Sequence, residues 1–202
     1  KHPVTLLSKK TVSVIKSIEA KGDVFSVVSG RNINSCLKVF EKLNTKPYVV
    51  GCNGAFVYND GKTISSSCLK KETAKSVLKY IYSNYKPLAV YAMSSDGGTY
   101  VYEQFRPLKR LGFKIYDFFQ GQLLHDYSFD RAKFEQAINE NKVWKLMVVF
   151  GIGGKAKKIA KEFNKEIYKQ KNIDCWSTWT HQIKHQVFLY VQFNWGYWIF
   201  GK

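Results

Sequence analysis

The sequence has few acidic residues and very few arginines. Its 202 residues include 32 lysines and arginines against 15 aspartates and glutamates, which gives a net charge of +17. Only four of the basic residues are arginines, at positions 31, 106, 110 and 131. Lysine lacks the planar fork with which arginine reads phosphates and base edges. We therefore predict a lysine-rich solvated surface. Nucleic acid is not the favoured partner, although the excess positive charge keeps a polyanion partner open as an alternative.

Long apolar runs and paired cysteines are also missing. No segment approaches the roughly 20 apolar residues that a membrane span requires, and Lys1-His2-Pro3 is followed by too short an apolar run for a signal peptide. The cysteines form no C-x-x-C pair, which excludes a zinc ribbon and disfavours a disulfide framework. We expect a cytoplasmic location, where thiols stay reduced. The four cysteines are Cys36, Cys52, Cys68 and Cys175.

What is present is an alternation of helix and strand patterns. A predicted strand over residues 23–28 ends at Ser29-Gly30-Arg31 and gives way to a helix over 32–43. A helix over 8–22 precedes it, and a strand over 48–50 follows. Strands joined through helices predict parallel pairing and an α/β fold. Ser29 would then lie at the carboxyl end of a strand and beside a helix N-terminus, where backbone N–H groups face an anion.

The middle of the chain predicts a hairpin, followed by a second unit. Asn59-Asp60-Gly61 is typical of a type I′ hairpin turn. Three helix patterns and three strand patterns then follow, which favours a compact α+β unit with a partly antiparallel sheet. The helices are predicted over 71–85, 129–139 and 155–168, and the strands over 88–93, 99–103 and 143–150.

Residues after Asp174 include no Asp or Glu and four of the five tryptophans. We interpret this aromatic segment as short strands that pack on the body, with attachment to a membrane surface as the alternative. His181 and His185 are spaced i, i+4 downstream of Cys175, which is too few ligands to predict zinc. The glycines of 151–155 lack the spacing of a phosphate loop and are interpreted as a strand-to-helix turn.

The order of short motifs resembles the haloacid dehalogenase-like hydrolase superfamily, and most closely its Cof-type phosphatases. The motifs are Thr5-Leu6-Leu7-Ser8, then Val27-Val28-Ser29-Gly30-Arg31, then Asn53-Gly54-Ala55 with its hairpin. The resemblance implies an α/β fold with a Rossmann-like parallel-sheet core and an inserted α+β cap. It implies a core over 1–65, a cap over 66–170, and a divergent remnant of the core over 171–202.

The resemblance also implies a site. Ser29 matches the family's phosphate-binding hydroxyl, Gly30 and Arg31 match the turn after it, and Asn53 and Gly54 match a turn beside the same pocket. Relatives with a complete site are Mg²⁺-dependent hydrolases of small phosphorylated metabolites, so Mg²⁺ is the expected cofactor and such a metabolite the expected ligand.

The sequence departs from the family pattern at the catalytic positions. Counting back from Thr5, Lys1 stands at the nucleophile position and Pro3 at the acid/base position. No residue of this chain is assigned to catalysis or to a metal, and Lys184 is not assigned the family's lysine role. We therefore expect the chain as given to be inactive or very weak as a phosphatase. The alternatives are a non-catalytic module that binds a phosphorylated ligand or a protein, and a basic nucleic-acid-associated protein.

Overall fold

The structure is a computed structural model that describes residues 7–40, 47–103, 127–152, 154–169, 174–178 and 186–192. The helices in this part of the chain are α1 Lys9–Glu19, α2 Ile33–Phe40, α3 Lys71–Asn84, α4 Arg131–Asn139 and α5 Gly154–Lys169. The strands are β1 Ser26–Val28, β2 Tyr48–Gly51, β3 Phe56–Asn59, β4 Lys62–Ser66, β5 Ala89–Ser94, β6 Thr99–Glu103, β7 Tyr127–Ser128, β8 Val143–Ile152, β9 Asp174–Thr178 and β10 Gln186–Gln192. The predicted α/β class is confirmed.

Backbone contacts divide the chain into two compact units. Unit 1 comprises residues 1–66, 97–99 and 105–128, and unit 2 comprises 67–96, 100–104 and 129–202. A four-stranded sheet with the order β1-β2-β3-β4 lies in unit 1. A six-stranded sheet with the order β7-β6-β5-β8-β10-β9 lies mostly in unit 2. The division into core, cap and core remnant stays a prediction.

Unit 1 carries the predicted parallel pair. Strands β1 and β2 run parallel, with Ser26 opposite Tyr48 and Val28 opposite Val50. Helix α1 begins after Ser8, whose side chain accepts a hydrogen bond from the Thr11 N–H. The β3–β4 hairpin turns at Asp60 and Gly61, which have φ values of 45° and 82°. Two successive positive φ values are what a type I′ turn requires, so this prediction is confirmed.

Unit 2 is built on an antiparallel arrangement. Strand β8 pairs antiparallel with β5 on one side and with β10 on the other, and β10 pairs antiparallel with β9. Every residue of β5 is buried. Side chains of α3, α4 and α5 pack with β5 and β8 into one apolar cluster, which includes Ala74, Val77, Ile81, Val90, Ala92, Phe134, Leu146, Val148, Ala160 and Phe163.

The sequence patterns did not indicate where the end of the chain pairs. The described strands β9 and β10 lie in the six-stranded sheet, and the expectation that residues 171–202 are a remnant of the core stays a prediction. Strand β8 is ten residues long, and β10 pairs with the edge of β8 opposite to β5. The aromatic residues from 193 onward lie outside the described part of the chain. Among the described helices none has both the length and the apolar character needed to cross a bilayer.

Candidate functional site

Ser29 follows directly after β1, at the carboxyl end of that strand. Its N–H donates to the Val50 carbonyl at 2.9 Å, which extends the pairing of β1 with β2 by one residue. Its hydroxyl oxygen accepts a hydrogen bond from the Arg31 N–H at 3.2 Å. The side chain is half-buried. One acceptor position of the hydroxyl is therefore used inside the turn, while its hydrogen can be donated elsewhere.

The loop after β2 is hydrogen-bonded to the turn after β1. The Asn53 N–H donates to the Ser29 carbonyl at 3.1 Å, and the Cys52 N–H donates to the Arg31 carbonyl at 2.9 Å. The Gly54 N–H closes the loop on Gly51 at 2.9 Å. The structure thus brings together the predicted site residues Ser29–Arg31 and Asn53–Gly54 in unit 1. Their role in binding stays a prediction.

The conformation of this loop explains its composition. Cys52, Asn53 and Gly54 have φ values of 48°, 61° and 100°, so three successive residues are in the left-handed region. Asparagine and glycine tolerate that region best. A Cβ at Gly51 would collide with the ring of Phe56. The turn itself therefore accounts for glycine at position 51 and for Asn53-Gly54, with or without a ligand.

Five backbone N–H groups of these two turns already have partners within unit 1, while the expectation that amides at the start of α2 face an anion stays a prediction. The N–H groups of Ser29, Arg31, Cys52, Asn53 and Gly54 all donate to oxygens within unit 1. These donors are used in the hydrogen bonds within and between the two adjacent turns. Two groups of this turn are suited to bind a phosphoryl oxygen, the Ser29 hydroxyl and the Arg31 guanidinium, both on half-buried side chains.

Asn32, at the start of α2, makes long-range hydrogen bonds that the sequence patterns did not indicate. The Asn32 side-chain oxygen accepts the Ile33 N–H at 2.7 Å, and its side-chain nitrogen donates to the Gly97 and Gly98 carbonyls at 2.9 Å each, with the residue only 3 % exposed. Asn34 donates to Gly97 as well, at 2.9 Å. Residues 97–99 are thereby tied to the helix that follows the Ser29 turn. No local pattern in the sequence signals a contact over 65 residues.

Cys36 is the second residue that the sequence patterns passed over. It lies on α2 with 2 % exposure, and its Sγ is 3.9 Å from the Arg31 carbonyl oxygen. Burial raises the pKa of the Cys36 thiol, while a hydrogen bond with the Ser29 side chain and the Arg31 charge oppose that rise. The thiol is therefore neutral at physiological pH. Its sulfur lies beside the turn that is predicted to bind phosphate.

The described residues do not fit Mg²⁺. Divalent magnesium prefers carboxylate and other oxygen ligands, whereas the predicted site offers a hydroxyl, an amide and a positively charged guanidinium. Within the described ranges no three His, Cys, Asp or Glu residues are grouped as metal ligands would be. Several residues weighed in the sequence fall outside those ranges, namely Lys1, Pro3, Thr5, His181, Lys184 and His185.

Comparison with known proteins identifies the fold. The chain resembles a structure of TM0651 from Thermotoga maritima, with a TM-score of 0.65 at 16 % identity, over 93 % of this chain and 62 % of that one. It resembles BT1666 from Bacteroides thetaiotaomicron, a haloalkanoate-superfamily phosphatase, with a TM-score of 0.64 at 15 % identity, over 94 % and 61 %. The sugar phosphatase BT4131 gives a TM-score of 0.61 at 16 % identity, over 94 % and 64 %.

Sequence comparison identifies the family. The profile of the haloacid dehalogenase-like hydrolase family matches residues 4–186, so the chain belongs to that family. A Buchnera aphidicola protein named "Putative phosphatase" is 27 % identical over 84 residues, which are 41 % of this chain and 32 % of that protein. The chain spans about three-fifths of the length of the solved structures that it matches.

Proposed function

We propose that this chain binds the phosphoryl group of a small phosphorylated metabolite at Ser29 and Arg31. The observation that carries the proposal is the geometry of the Ser29 turn. The hydroxyl is at the carboxyl end of a parallel strand, with its oxygen held by the Arg31 N–H. In open α/β sheets ligands bind beyond this end of the strands.

The hydrogen bonds of the neighbouring loop support this role. Asn53 and Cys52 donate to the carbonyls of Ser29 and Arg31, so both residues of the proposed site have a fixed backbone. A preorganised hydroxyl and guanidinium lose little freedom when a phosphoryl group binds. A charge-assisted hydrogen bond from arginine to phosphate is among the stronger polar interactions.

The ligand class follows from the family and from unit 2. A sugar phosphatase is among the structures with the same fold, and we propose that this chain is Cof-type and likewise takes a phosphorylated sugar or a similar metabolite. We further propose that unit 2 corresponds to the cap, which in such enzymes chooses the substrate. Its antiparallel sheet covered by α3, α4 and α5 is consistent with that role.

Turnover by the chain as given is not part of the proposal. Counting back from Thr5, the family resemblance places Lys1 and Pro3 at the positions of the carboxylate nucleophile and the acid/base. A proline side chain cannot carry a proton between leaving group and water, and an ammonium group cannot form an aspartyl-phosphate. We propose binding without hydrolysis for this stretch of the protein.

Binding is tested by isothermal titration with inorganic phosphate and with glucose 6-phosphate, comparing the chain with Ser29→Ala. We expect saturable binding that weakens about 10-fold or more in the variant, since a hydrogen bond to a charged group contributes roughly 1.5–3 kcal/mol. Thr63→Ala, on an exposed position of β4, is the matched control and should bind like the parent. Equal affinity in the parent and in Ser29→Ala would contradict the proposed site.

Hydrolysis is tested separately with p-nitrophenyl phosphate in the presence of Mg²⁺. We expect release of nitrophenol at the rate of the enzyme-free control. Mg²⁺-dependent release that disappears in Ser29→Ala would retain the binding site but overturn the proposal that the chain does not turn over its ligand.

A further inference from the structure

Unit 2 contains a cavity that the proposed site does not use. It lies among residues of α3, α4 and β6, and its volume is about 270 Å³. Leu78, Phe134 and Ile138 supply apolar walls. Every lining residue belongs to unit 2, whereas the Ser29 turn belongs to unit 1. Since an apolar cavity of roughly 150 Å³ holds benzene, this one has room for an aromatic ring with a substituent.

The aromatic side chains of the cavity disfavour a cationic ligand. The ring of Tyr102 meets that of Tyr82 edge to face, with centroids 5.1 Å apart, and that of Phe134 at 5.6 Å. The guanidinium carbon of Arg131 lies over the Tyr102 ring, 4.8 Å from its centroid. A ligand cation would seek such an aromatic face, which the protein's own arginine already covers.

The charged side chains around the cavity favour a single negative charge instead. Arg131 and Lys75 contribute two cations against the one carboxylate of Glu135. The Nε of Arg131 donates to Glu135 Oε1 at 2.8 Å, and its four other N–H groups have no acceptor within the described part of the chain. A guanidinium with free N–H groups matches the two oxygens of a carboxylate.

Tyr82 supplies a second donor to the same place. Its hydroxyl oxygen is buried and has no hydrogen-bond partner among the described residues. Burial raises the pKa of Tyr82, and the neighbouring Tyr102 adds to that rise, while the charge of Arg131 opposes it. The phenol therefore keeps its proton and can donate it. An unpaired buried hydroxyl costs free energy, which an acceptor on a ligand would recover.

We propose that this cavity binds a small aromatic carboxylate, whose ring packs among the apolar side chains and whose carboxylate accepts hydrogen bonds from Arg131 and Tyr82. Both donors lie against the ring of Tyr102, which places them on the same part of the cavity. One excess positive charge matches a carboxylate better than a doubly charged phosphate. The inference is independent of the proposed function, because no residue of the Ser29 turn takes part.

Equilibrium dialysis with 2-naphthoate tests the proposal, and the neutral 2-naphthamide is the matched ligand of the same shape. We expect one saturable site per chain for naphthoate. Its affinity should exceed that of the amide by about 10-fold or more, since hydrogen bonds to an ionised group are roughly twice as strong as neutral ones. An excess of inorganic phosphate should leave naphthoate binding unchanged, because the two anions take different sites.

Variants of the two donors locate the site. Arg131→Gln should weaken naphthoate binding about 10-fold and leave naphthamide within about twofold of the parent, since only the charge-assisted bond is lost. Lys79→Gln, at an exposed position of α3 outside the cavity, removes the same charge and should bind naphthoate like the parent. Tyr82→Phe should weaken naphthoate about 3- to 10-fold without lowering the melting temperature, because the hydroxyl it removes has no partner in the free protein.

Four results would overturn the inference. The first is the absence of saturable naphthoate binding, and the second is equal affinity for naphthoate and naphthamide, which would show an apolar cavity without recognition of the anion. The third is an equal loss in Arg131→Gln and Lys79→Gln, or no loss in Tyr82→Phe. The fourth is displacement of naphthoate by phosphate, or weaker naphthoate binding in Ser29→Ala, which would place the anion at the turn in unit 1.

Discussion

The two units stabilise their sheets in different ways. In unit 2 all of β5 and residues 143–150 of β8 are buried, and three helices share one apolar cluster with them. In unit 1 strand β4 is exposed along its whole length, and Val28 on β1 is 77 % exposed. Apolar burial therefore dominates in unit 2, whereas hydrogen bonds between loops and turns carry a larger share in unit 1. Among the described residues, the proposed site lies in the unit with fewer buried apolar side chains.

The largest expected effect is on the apolar cluster of unit 2. Phe163 is fully buried, and its ring contacts those of Tyr80, Tyr85 and Phe150 at centroid distances of 5.1 to 6.3 Å. Phe163→Ala should lower the free energy of unfolding by about 3–5 kcal/mol, measured by urea denaturation. Val28→Ala in unit 1 should change it by less than about 0.5 kcal/mol. Similar losses in the two variants would remove the contrast between the units.

The hydrogen bonds of unit 1 are tested by a matched pair of asparagines. Asn32→Ala leaves the buried Gly97 carbonyl and the half-buried Gly98 carbonyl without that donor and should cost about 2–3 kcal/mol of unfolding free energy. Asn34→Ala removes one bond from an exposed side chain and should cost about 1 kcal/mol or less. Urea denaturation measures both. If Asn34→Ala lowered the free energy of unfolding more than Asn32→Ala, the contrast between a buried Asn32 and an exposed Asn34 would be contradicted.

Two glycines with open space around them sharpen the comparison further. Gly61, in the hairpin turn of unit 1, has a φ of 82°, and Gly154 begins α5 in unit 2 without a positive φ. Gly61→Ala should lower the free energy of unfolding by about 1–2 kcal/mol, since alanine is strained in the left-handed region. Gly154→Ala should be neutral or stabilising by about 0.4–1 kcal/mol. Thermal unfolding monitored by circular dichroism distinguishes these signs.

The smallest effect is a dependence on pH that arises in unit 1. Burial raises the pKa of the Cys36 thiol above its ordinary value near 8.5. The native state thus keeps a proton that the unfolded chain loses, and its stabilising contribution is present at neutral pH and is lost as pH rises through the folded pKa. Between pH 8 and 9.5 the parent should lose up to about 1 kcal/mol more unfolding free energy than Cys36→Ser. Parallel pH profiles for both proteins would contradict the thiol's burial.

The sequence was a good guide to local structure. The helix predicted over 71–85 is found at Lys71–Asn84, the strand over 99–103 is found at Thr99–Glu103, and the turn at Asn59-Asp60-Gly61 has the predicted type. Each of these depends on hydrophobic periodicity or turn chemistry within a short window. The resemblance to the haloacid dehalogenase-like family likewise depended on short motifs in order, and it is confirmed.

What the sequence did not reveal depends on contacts between distant residues. The pairing of β10 with β8, and the bonds from Asn32 to the turn at Gly97, have no signature in a short window. The use of the site's N–H groups by neighbouring loops was also missed. A sequence motif identifies residues that lie together in the fold. Which of their N–H groups can bind a ligand depends on the hydrogen bonds that the folded loops form with one another.

The glycine that ends β2 has a consequence for how this protein can vary. The ring of Phe56 fills the space that a side chain at position 51 would need. The side chains at positions 51 and 56 therefore share one space. A methyl group at position 51 can be accommodated only if the residue at position 56 becomes smaller. A library that randomises position 51 alone should return glycine, whereas one that randomises 51 and 56 together should return complementary pairs.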